Sequence, residues 1–227
     1  MKLKVIILSV GLTLSILFNL QAEAGTKFGP QATRLHNEHA FISKNKAPDY
    51  WALSPYYLPQ QDGRSCSVAS ITMVLNAARA DEVLSSSDEL VTQKSALKKL
   101  NLNFWTKGVG EGGHGTTLEQ VGEIVTAGAK AYGYPKSVVN ILHADGTLEF
   151  AKKLHELLVK NESSDHNFII ANFLQSEFTG DPEGAVGHLA PVAAYDAAKK
   201  SVLVMDPDRE YYEPYWVSEA TFIKGLN

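Results

Sequence analysis

Cysteine is almost absent from this chain. Among 227 residues there is one, Cys66. A single cysteine cannot form an intramolecular disulfide, and the chain offers no second thiol for a zinc site built on paired cysteines. An intermolecular bridge or a free reactive thiol is left, and the residues around Cys66 favour the free thiol.

An excess of positive charge is also lacking. The chain has 21 basic and 25 acidic residues and a net charge of −4. Without a basic stripe, binding to nucleic acid or to an anionic membrane surface is not expected. The 7 histidines show neither HExxH nor HxH spacing. We therefore expect no protein-bound metal and no required cofactor.

Long apolar runs are missing beyond the N-terminus. Lys2 and Lys4 precede the apolar run 5–20, and Ala22-Glu23-Ala24 has the small-x-small form of a signal-peptidase site. We predict that residues 1–24 are a signal peptide cleaved after Ala24, which gives a periplasmic or secreted protein. An uncleaved anchor is the weaker alternative. No later segment approaches the roughly 20 apolar residues of a bilayer span, so no membrane association is expected after cleavage.

The mature chain divides into a short arm and one domain. Residues 25–50 are polar and predicted to be an irregular N-terminal arm, and residues 51–227 are predicted to form the catalytic domain. From Cys66 the apolar residues follow helical spacing, which predicts a helix to about Ala80 with one buried face. Capping-box patterns predict helices from Ser86 and from Thr116, and residues 147–159 are amphipathic. Residues 101–115 are predicted to be a glycine-rich loop.

Strand-like runs dominate the second half. A strand is predicted at 137–142, and further strands at 168–173, 189–195 and 202–205. Helices come first and strands later, which favours an α+β fold over a βαβ repeat. The oligomeric state is left open, with a homodimer as one alternative.

Three residues combine into a candidate site. Cys66 begins a predicted helix, His188 precedes a predicted strand and Asp206 follows another. The unpaired N–H groups of a helix N-terminus stabilise a thiolate, an imidazolium protonates a leaving amine, and a carboxylate fixes the imidazole tautomer. Taken singly, each has a structural alternative: a buried thiol, a core histidine and a turn aspartate. Their order along the chain is that of papain-like cysteine proteases.

The sequence resembles the phytochelatin synthase family, papain-like transferases that act on glutathione, and most closely its short bacterial type. The matching stretches are Cys66-Ser-Val-Ala-Ser70, Gly187-His-Leu-Ala-Pro-Val-Ala-Ala-Tyr195 and Val204-Met-Asp206 with Arg209 and Pro214-Tyr-Trp216-Val217. The resemblance implies a papain-like fold in which an N-terminal helical lobe packs on a C-terminal antiparallel sheet lobe.

The resemblance also implies roles for individual residues. The family's catalytic triad falls on Cys66, His188 and Asp206, and its oxyanion-hole glutamine falls on Gln60, with Gln61 as the adjacent alternative. Substrate-binding positions are implied at three residues: Asn172, Gly187 and Arg209. Asn172 lies in an apolar strand, where its amide must find a partner in substrate or backbone. Arg209 is expected to hold a carboxylate or to brace Asp206.

Glutathione and metal–glutathione complexes are the implied substrates. Cadmium or zinc would enter as a metal–thiolate complex of the substrate, in heavy-metal detoxification or glutathione turnover. The chain departs from the family in three ways. Ser67 replaces the usual glycine and is expected to narrow the cleft, Gly180 to Val186 resembles an insertion, and the cysteine-rich C-terminal region of the plant enzymes is expected to be missing. Resemblance to the short bacterial enzymes leads us to expect hydrolysis to exceed peptide transfer.

Two alternative functions remain open from the sequence. One keeps the papain-like fold in an exported endopeptidase or amidase with another peptide substrate. The other is an inactive protein that binds thiol peptides or metal complexes, because Ser67 departs from the family and an exposed thiol is liable to oxidation.

Overall fold

The computed structural model describes residues 26–164 and 166–226. The predicted signal peptide, residues 1–24, lies outside the described residues. Within the described ranges, no helix has the length and apolar character needed to cross a bilayer.

The described chain contains nine helices, of which the first seven precede the strand at residue 169 and the last two lie in the final third. They are α1 (Ala40–Lys44), α2 (Pro48–Leu53), α3 (Cys66–Ala77), α4 (Gln93–Leu100), α5 (Asn103–Val109), α6 (Leu118–Ala131), α7 (Leu148–Asn161), α8 (Gln175–Thr179) and α9 (Glu219–Leu226). Short 3₁₀ turns lie at Ser54–Tyr56 and Pro182–Gly184. The predicted helix at 147–159 is confirmed as α7, which Thr147 caps by accepting a hydrogen bond from the Phe150 N–H.

The strands form one antiparallel sheet with the order β1-β5-β4-β3-β2. They are β1 (Ala32–Arg34), β2 (Ile169–Leu174), β3 (Gly187–Asp196), β4 (Ser201–Val204) and β5 (Tyr215–Ser218). The predicted strands at 168–173, 189–195 and 202–205 are confirmed as β2, β3 and β4. The predicted α+β architecture, with helices packed against an antiparallel sheet, is therefore confirmed.

The sheet is covered on both faces, and alternation along each strand decides which residue faces which layer. In β4, Val202 and Val204 join the cluster formed with α7, α8 and α9, whereas Leu203 joins the cluster formed with α2 and α3. In β5, Tyr215 and Trp216 divide in the same way. This period of two is the side-chain alternation of a β-strand. The residues that face the second layer, Leu203 and Trp216, share a cluster with α3, so α3 lies directly against the sheet.

Helix α3 is buried on every side, from Ser67 to Ala77, which corrects the prediction of a single buried face. One side, with Met73 and Ala77, packs on the sheet layer. Another side, with Val68 and Ile71, forms a third cluster with α4, α5 and α6. Helix α3, which begins at Cys66, therefore lies between the sheet and the helices α4, α5 and α6. It is the most enclosed of the described helices.

The helix predicted from Ser86 does not form. Asp88 accepts a hydrogen bond from the Ser85 N–H, so its carboxylate closes a local turn. Helix α4 begins only after Thr92, where Thr92 and Ser95 form a reciprocal capping box. The segment entering α4 is fixed by buried Asn76, which bonds both the N–H and the carbonyl of Val91 at 2.8 Å.

The glycine-rich stretch and the strand at 137–142 were also predicted wrongly. Helix α5 occupies 103–109, and the following glycines allow close backbone contact: a Cβ on Gly108 would lie 2.2 Å from the Gly115 carbonyl oxygen. Residues 137–142 form no strand. Ile141 instead packs on α6, where a Cβ on Gly122 would lie 2.7 Å from its Cδ1. The cap of α6 is Thr117 with Gln120, one residue later than predicted.

The N-terminal segment is more regular than predicted. Residues 32–34 form β1, an edge strand that pairs with β5 through Ala32–Val217 and Arg34–Tyr215. Arg34 adds a bidentate pair to Glu213 at 2.8 and 2.9 Å. Residues 26–50, expected to be irregular, thus supply one strand and the helix α1.

Candidate active site

Cys66 is the first residue of α3, and the helix start leaves its N–H groups uncapped. The N-cap Ser65 makes no capping hydrogen bond. Its hydroxyl donates instead to Asp62 Oδ1 at 2.8 Å. Cys66 itself is half-buried and carries a free thiol. The first turn of α3 can therefore direct N–H groups and the positive end of the helix dipole toward anionic sulfur or oxygen.

His188 and Asp206 meet in the interior of the protein. His188 is 4% exposed and Asp206 is fully buried. His188 Nε2 lies 2.7 Å from Asp206 Oδ1, and Phe173 contacts the imidazole edge-on with ring centroids 5.6 Å apart. Since Nε2 is engaged by Asp206, Nδ1 is the ring nitrogen left for Cys66. The Cys66 sulfur lies close enough to raise the pKa of His188, so the structure brings the three predicted residues together in the order thiol, imidazole and carboxylate.

His188 and Asp206 stabilise each other's charged forms. Burial alone would lower the pKa of His188, but the Asp206 carboxylate and the Cys66 sulfur raise the pKa to about 10. Burial would raise the pKa of Asp206, but the charge of His188 and hydrogen bonds to the carboxylate hold that pKa below its usual value. Ionised Asp206 and protonated His188 are therefore the stable forms at neutral pH.

Asp206 is held by a network of donors that the sequence did not predict. Its Oδ1 also accepts from the Asp208 N–H at 2.9 Å. Its Oδ2 accepts from Tyr215 Oη at 2.9 Å and from Gln175 Nε2 at 3.2 Å. The Tyr57 hydroxyl donates to the backbone carbonyl of Asp206 at 2.6 Å. A carboxylate with this many donors is fixed in orientation and stays ionised.

Gln60 lies in the loop that precedes Cys66. Its backbone N–H donates to the Pro207 carbonyl at 2.8 Å, which ties this loop to the turn after Asp206. Its side-chain Oε1 is buried and accepts no hydrogen bond from the described residues. An oxyanion needs donors, and the Gln60 Nε2 amide group, which would supply them, likewise bonds to none of the described residues.

Ser67 points away from the cleft, which corrects the expectation that it narrows the cleft. Its side chain is fully buried, and its hydroxyl accepts a hydrogen bond from Trp105 Nε1 at 3.0 Å. Trp105 is itself fully buried in α5. The extra hydroxyl that distinguishes serine from glycine here satisfies a buried indole N–H.

The three residues predicted to bind substrate differ in how exposed they are: Asn172 is half-buried, whereas Gly187 and Arg209 are exposed. Asn172 is half-buried opposite Leu189 in the β2–β3 pair, and its amide bonds to none of the described residues. Gly187 begins β3 with open space around its missing Cβ. The exposed Arg209 guanidinium lies 4.5 Å from the centre of the Tyr57 ring. It braces Asp206 only through Tyr57 and makes no direct contact with the carboxylate.

The segment from Gly180 to Val186, described above as insertion-like, forms an ordered support behind the site. Asp181 caps the 3₁₀ turn by accepting from the Glu183 N–H and also accepts from Tyr212 Oη at 2.7 Å. Gly184 lies close enough to Gln175 that a Cβ would be 3.4 Å from Oε1. The segment therefore packs against one of the donors that hold Asp206.

Sequence reasoning missed the donors Tyr57, Gln175 and Tyr215 and the role of Trp105. In the sequence, Tyr215 is simply one residue of a stretch that matches the family, and Gln175 follows a strand as an ordinary polar residue. Their roles depend on contacts between residues far apart in the chain. Burial marks Gln175, Tyr215 and Trp105, and it requires the fold. Among the described residues, no group of three or more His, Cys, Asp or Glu side chains has metal-binding geometry.

Comparison with known proteins agrees with this arrangement. The chain is 23% identical over 193 residues to glutathione gamma-glutamylcysteinyltransferase 1 of Lotus japonicus, in an alignment that covers 82% of this chain and 34% of the relative. The chain thus spans about a third of the length of this curated relative. A family model described as "Phytochelatin synthase" matches residues 19–227. With the α+β, papain-like architecture confirmed and the match covering nearly the whole sequence, the chain belongs to the phytochelatin synthase family.

Proposed function

We propose that this protein is a cysteine acyltransferase that cleaves the Cys–Gly bond of glutathione and forms a γ-glutamylcysteinyl thioester on Cys66. The observation that carries the proposal is the buried 2.7 Å contact between His188 Nε2 and Asp206 Oδ1 beside the uncapped start of α3. Family membership supports it. So does the name of the plant relative, which describes a glutathione γ-glutamylcysteinyltransferase.

Acylation begins when the Cys66 thiolate attacks the carbonyl carbon of the Cys–Gly bond. The carbonyl oxygen becomes an oxyanion, which accepts hydrogen bonds from the Cys66 N–H and the Gln60 carboxamide. The His188 imidazolium then donates its proton to the glycine nitrogen, the C–N bond breaks and glycine leaves. Asp206 keeps the imidazole oriented and stabilises its charged form.

In deacylation, His188 acts as a base instead of an acid, and Cys66 becomes the leaving group. Neutral His188 accepts a proton from water or from the amine of a second glutathione, and the activated nucleophile attacks the thioester carbonyl. The Cys66 thiolate leaves and re-forms its ion pair with His188. Water gives γ-glutamylcysteine, and a second glutathione gives the first phytochelatin oligomer. We propose water as the main acceptor. The ratio of γ-glutamylcysteine to phytochelatin among the products measures how the thioester divides between hydrolysis and transfer.

Asn172 and Gly187 are the residues we propose for contact with the γ-glutamylcysteinyl group. The unpaired amide of Asn172 offers a donor and an acceptor. Gly187 leaves room beside His188. We assign Arg209 to support of the Asp206 turn through Tyr57. Metals enter this scheme as thiolate complexes of the substrate, so metal–glutathione complexes are substrates and no protein-bound cofactor takes part.

Mass spectrometry after brief exposure to glutathione tests the mechanism. We expect a γ-glutamylcysteinyl adduct on Cys66, release of free glycine, and loss of both in Cys66→Ser. Product analysis with and without cadmium gives the ratio of hydrolysis to transfer. Absence of the adduct together with unchanged turnover in Cys66→Ser would overturn the mechanism.

The same experiment separates the two alternatives. An endopeptidase or amidase would cleave other peptides and release no glycine from glutathione. A silent binding protein would retain glutathione without turnover, and its thiol would react slowly with iodoacetamide at about pH 6.

We also propose export by an N-terminal signal peptide, supported by the charge and apolar pattern of residues 1–24. N-terminal sequencing of the protein from its native compartment is expected to begin at Gly25. A mature protein that still begins at Met1 would contradict this.

A further inference from the structure

An open cavity lies against the face of α4. Its volume is about 400 Å³, within the range of small-ligand sites. Two lysines, three uncharged polar residues and one leucine line it: Lys94, Lys98, Gln61, Asn101, Thr106 and Leu97. Cationic side chains and uncharged hydrogen-bonding groups are the chemistry that binds a carboxylate.

The cavity adjoins the loop that carries the proposed oxyanion residue. Gln61, which lines the cavity, directly follows Gln60 in the chain. The first residue of α4, Gln93, donates from Nε2 to the Pro59 carbonyl at 2.9 Å and so fixes the helix to this loop. The cavity and the oxyanion residue therefore lie on neighbouring segments that this hydrogen bond joins.

One of the two lysines, Lys94, is placed where local helix energetics disfavour it. Lys94 is the second residue of α4, where the positive end of the helix dipole repels a cation. Lys98 follows one turn later, and like charges at this spacing repel each other. Both side chains are exposed, and neither forms an ion pair with the described residues. Local conflicts of this kind are typical of functional sites.

The proposed reaction needs a carboxylate site on the side of the amine. Glycine leaves as an amine bearing an adjacent carboxylate. The acceptor amine of a second glutathione is the α-amine of its γ-glutamyl residue, which bears an adjacent carboxylate too. Because His188 must protonate the first amine and deprotonate the second, both occupy the same place in turn.

We propose that the Lys94–Lys98 cavity binds the α-carboxylate of the departing glycine and then of the incoming acceptor peptide. This inference rests on the proposed function and specifies its substrate recognition. One cationic subsite then serves both half-reactions, because leaving group and acceptor share the same α-amino carboxylate unit.

A cycle of substrate and protein changes tests the subsite. Glutathione is compared with its glycine amide, γ-Glu-Cys-Gly-NH₂, which lacks the terminal charge. For the wild-type protein we expect kcat/KM for glycine or glycinamide release to be about tenfold lower with the amide, as two exposed lysine–carboxylate pairs would give. In Lys94→Gln/Lys98→Gln this preference is expected to disappear. Any intrinsic difference in leaving-group reactivity cancels, since it affects both proteins equally.

Lys99→Gln is the matched control. Lys99 lies on the same helix, but its Nζ contacts the Tyr132 ring at 4.1 Å instead of the cavity. We expect this variant to retain the wild-type preference for glutathione. The proposal of this subsite would be overturned if wild type, the double variant and the control all preferred glutathione to its glycine amide by the same factor. That conclusion would hold even if the Cys66 adduct were formed.

A binding measurement separates failure of the subsite from failure of the chemistry. Calorimetric titration of Cys66→Ala with S-methylglutathione and with its glycine amide requires no turnover. We expect the acid to bind about tenfold more tightly than the amide, and the double lysine variant to bind both equally. Binding without this difference, or no measurable binding, would overturn the subsite. Absence of the Cys66 adduct, with the binding difference present, would overturn only the mechanism.

Discussion

Replacement of Tyr215 by phenylalanine isolates one hydrogen bond to the buried carboxylate of the site. The Tyr215 hydroxyl donates to Asp206 Oδ2 at 2.9 Å, and both side chains are fully buried. A hydrogen bond to a charged group contributes about 1.5–3 kcal/mol. Since one pKa unit corresponds to about 1.4 kcal/mol, we expect the pKa of Asp206 to rise by about 1–2 units in Tyr215→Phe.

The sign of the pH effect follows from the depressed pKa of Asp206. A carboxylate with a lowered folded pKa stabilises the protein above its unfolded pKa, and this stability is lost as pH falls through the folded pKa. Tyr215→Phe is therefore expected to lose about 1.5–3 kcal/mol of unfolding free energy at pH 7. The acid limb of kcat/KM should move to higher pH by about 1–2 pH units, the same as the expected rise in the pKa of Asp206.

Tyr212→Phe provides a matched control for this prediction. The Tyr212 hydroxyl is also buried and donates to a carboxylate, Asp181 Oδ2, at 2.7 Å. Its loss should destabilise the protein by a similar amount and leave the acid limb of activity in place. Urea unfolding at pH 7 and at about pH 4, with kcat/KM measured across this range, distinguishes the two variants. Equal acid limbs in Tyr215→Phe, Tyr212→Phe and wild type would refute the reasoning.

Three further predictions concern the same cluster. Because the pKa of His188 is raised to about 10, its stabilising contribution is complete below its unfolded pKa and is lost as pH rises through about 10. Asp206→Asn should move the alkaline limb of kcat/KM to lower pH, and an unmoved limb would contradict the ion-pair assignment. Ser67→Ala should cost about 1–3 kcal/mol in urea unfolding, because the indole N–H of Trp105 loses its acceptor. Activity per folded molecule should stay unchanged, whereas a large gain would indicate that Ser67 does narrow the cleft. Gln60→Ala should lower kcat by about 10²-fold with unchanged unfolding, and wild-type kcat would exclude Gln60 from the oxyanion hole.

The sequence predicted the chemistry of the site better than its support. Cys66, His188 and Asp206 each follow a boundary between elements, and such boundaries are visible as changes in apolar period. The strands β2, β3 and β4 were found in the same way. Their antiparallel pairing then brings His188 and Asp206 within hydrogen-bonding distance.

The incorrect predictions have a common physical cause. A capping pattern at Ser86 was satisfied by a local turn through Asp88, and an apolar stretch at 137–142 packed its side chains on α6 instead of pairing its backbone. In both places a local pattern was compatible with two structures. Tertiary contacts decided between them, and a single sequence contains no record of such contacts.

The turn after Asp206 explains why the site is precise although its parts come from distant segments. Gln60 donates its backbone N–H to Pro207, and Tyr57 donates to the Asp206 carbonyl. The loop that carries the proposed oxyanion residue is therefore held by the same turn that presents the carboxylate. Tyr215 and Gln175 approach Asp206 from β5 and from the end of β2. Because carboxylate and oxyanion loop share one support, a perturbation of this turn is expected to change general acid catalysis and oxyanion stabilisation together.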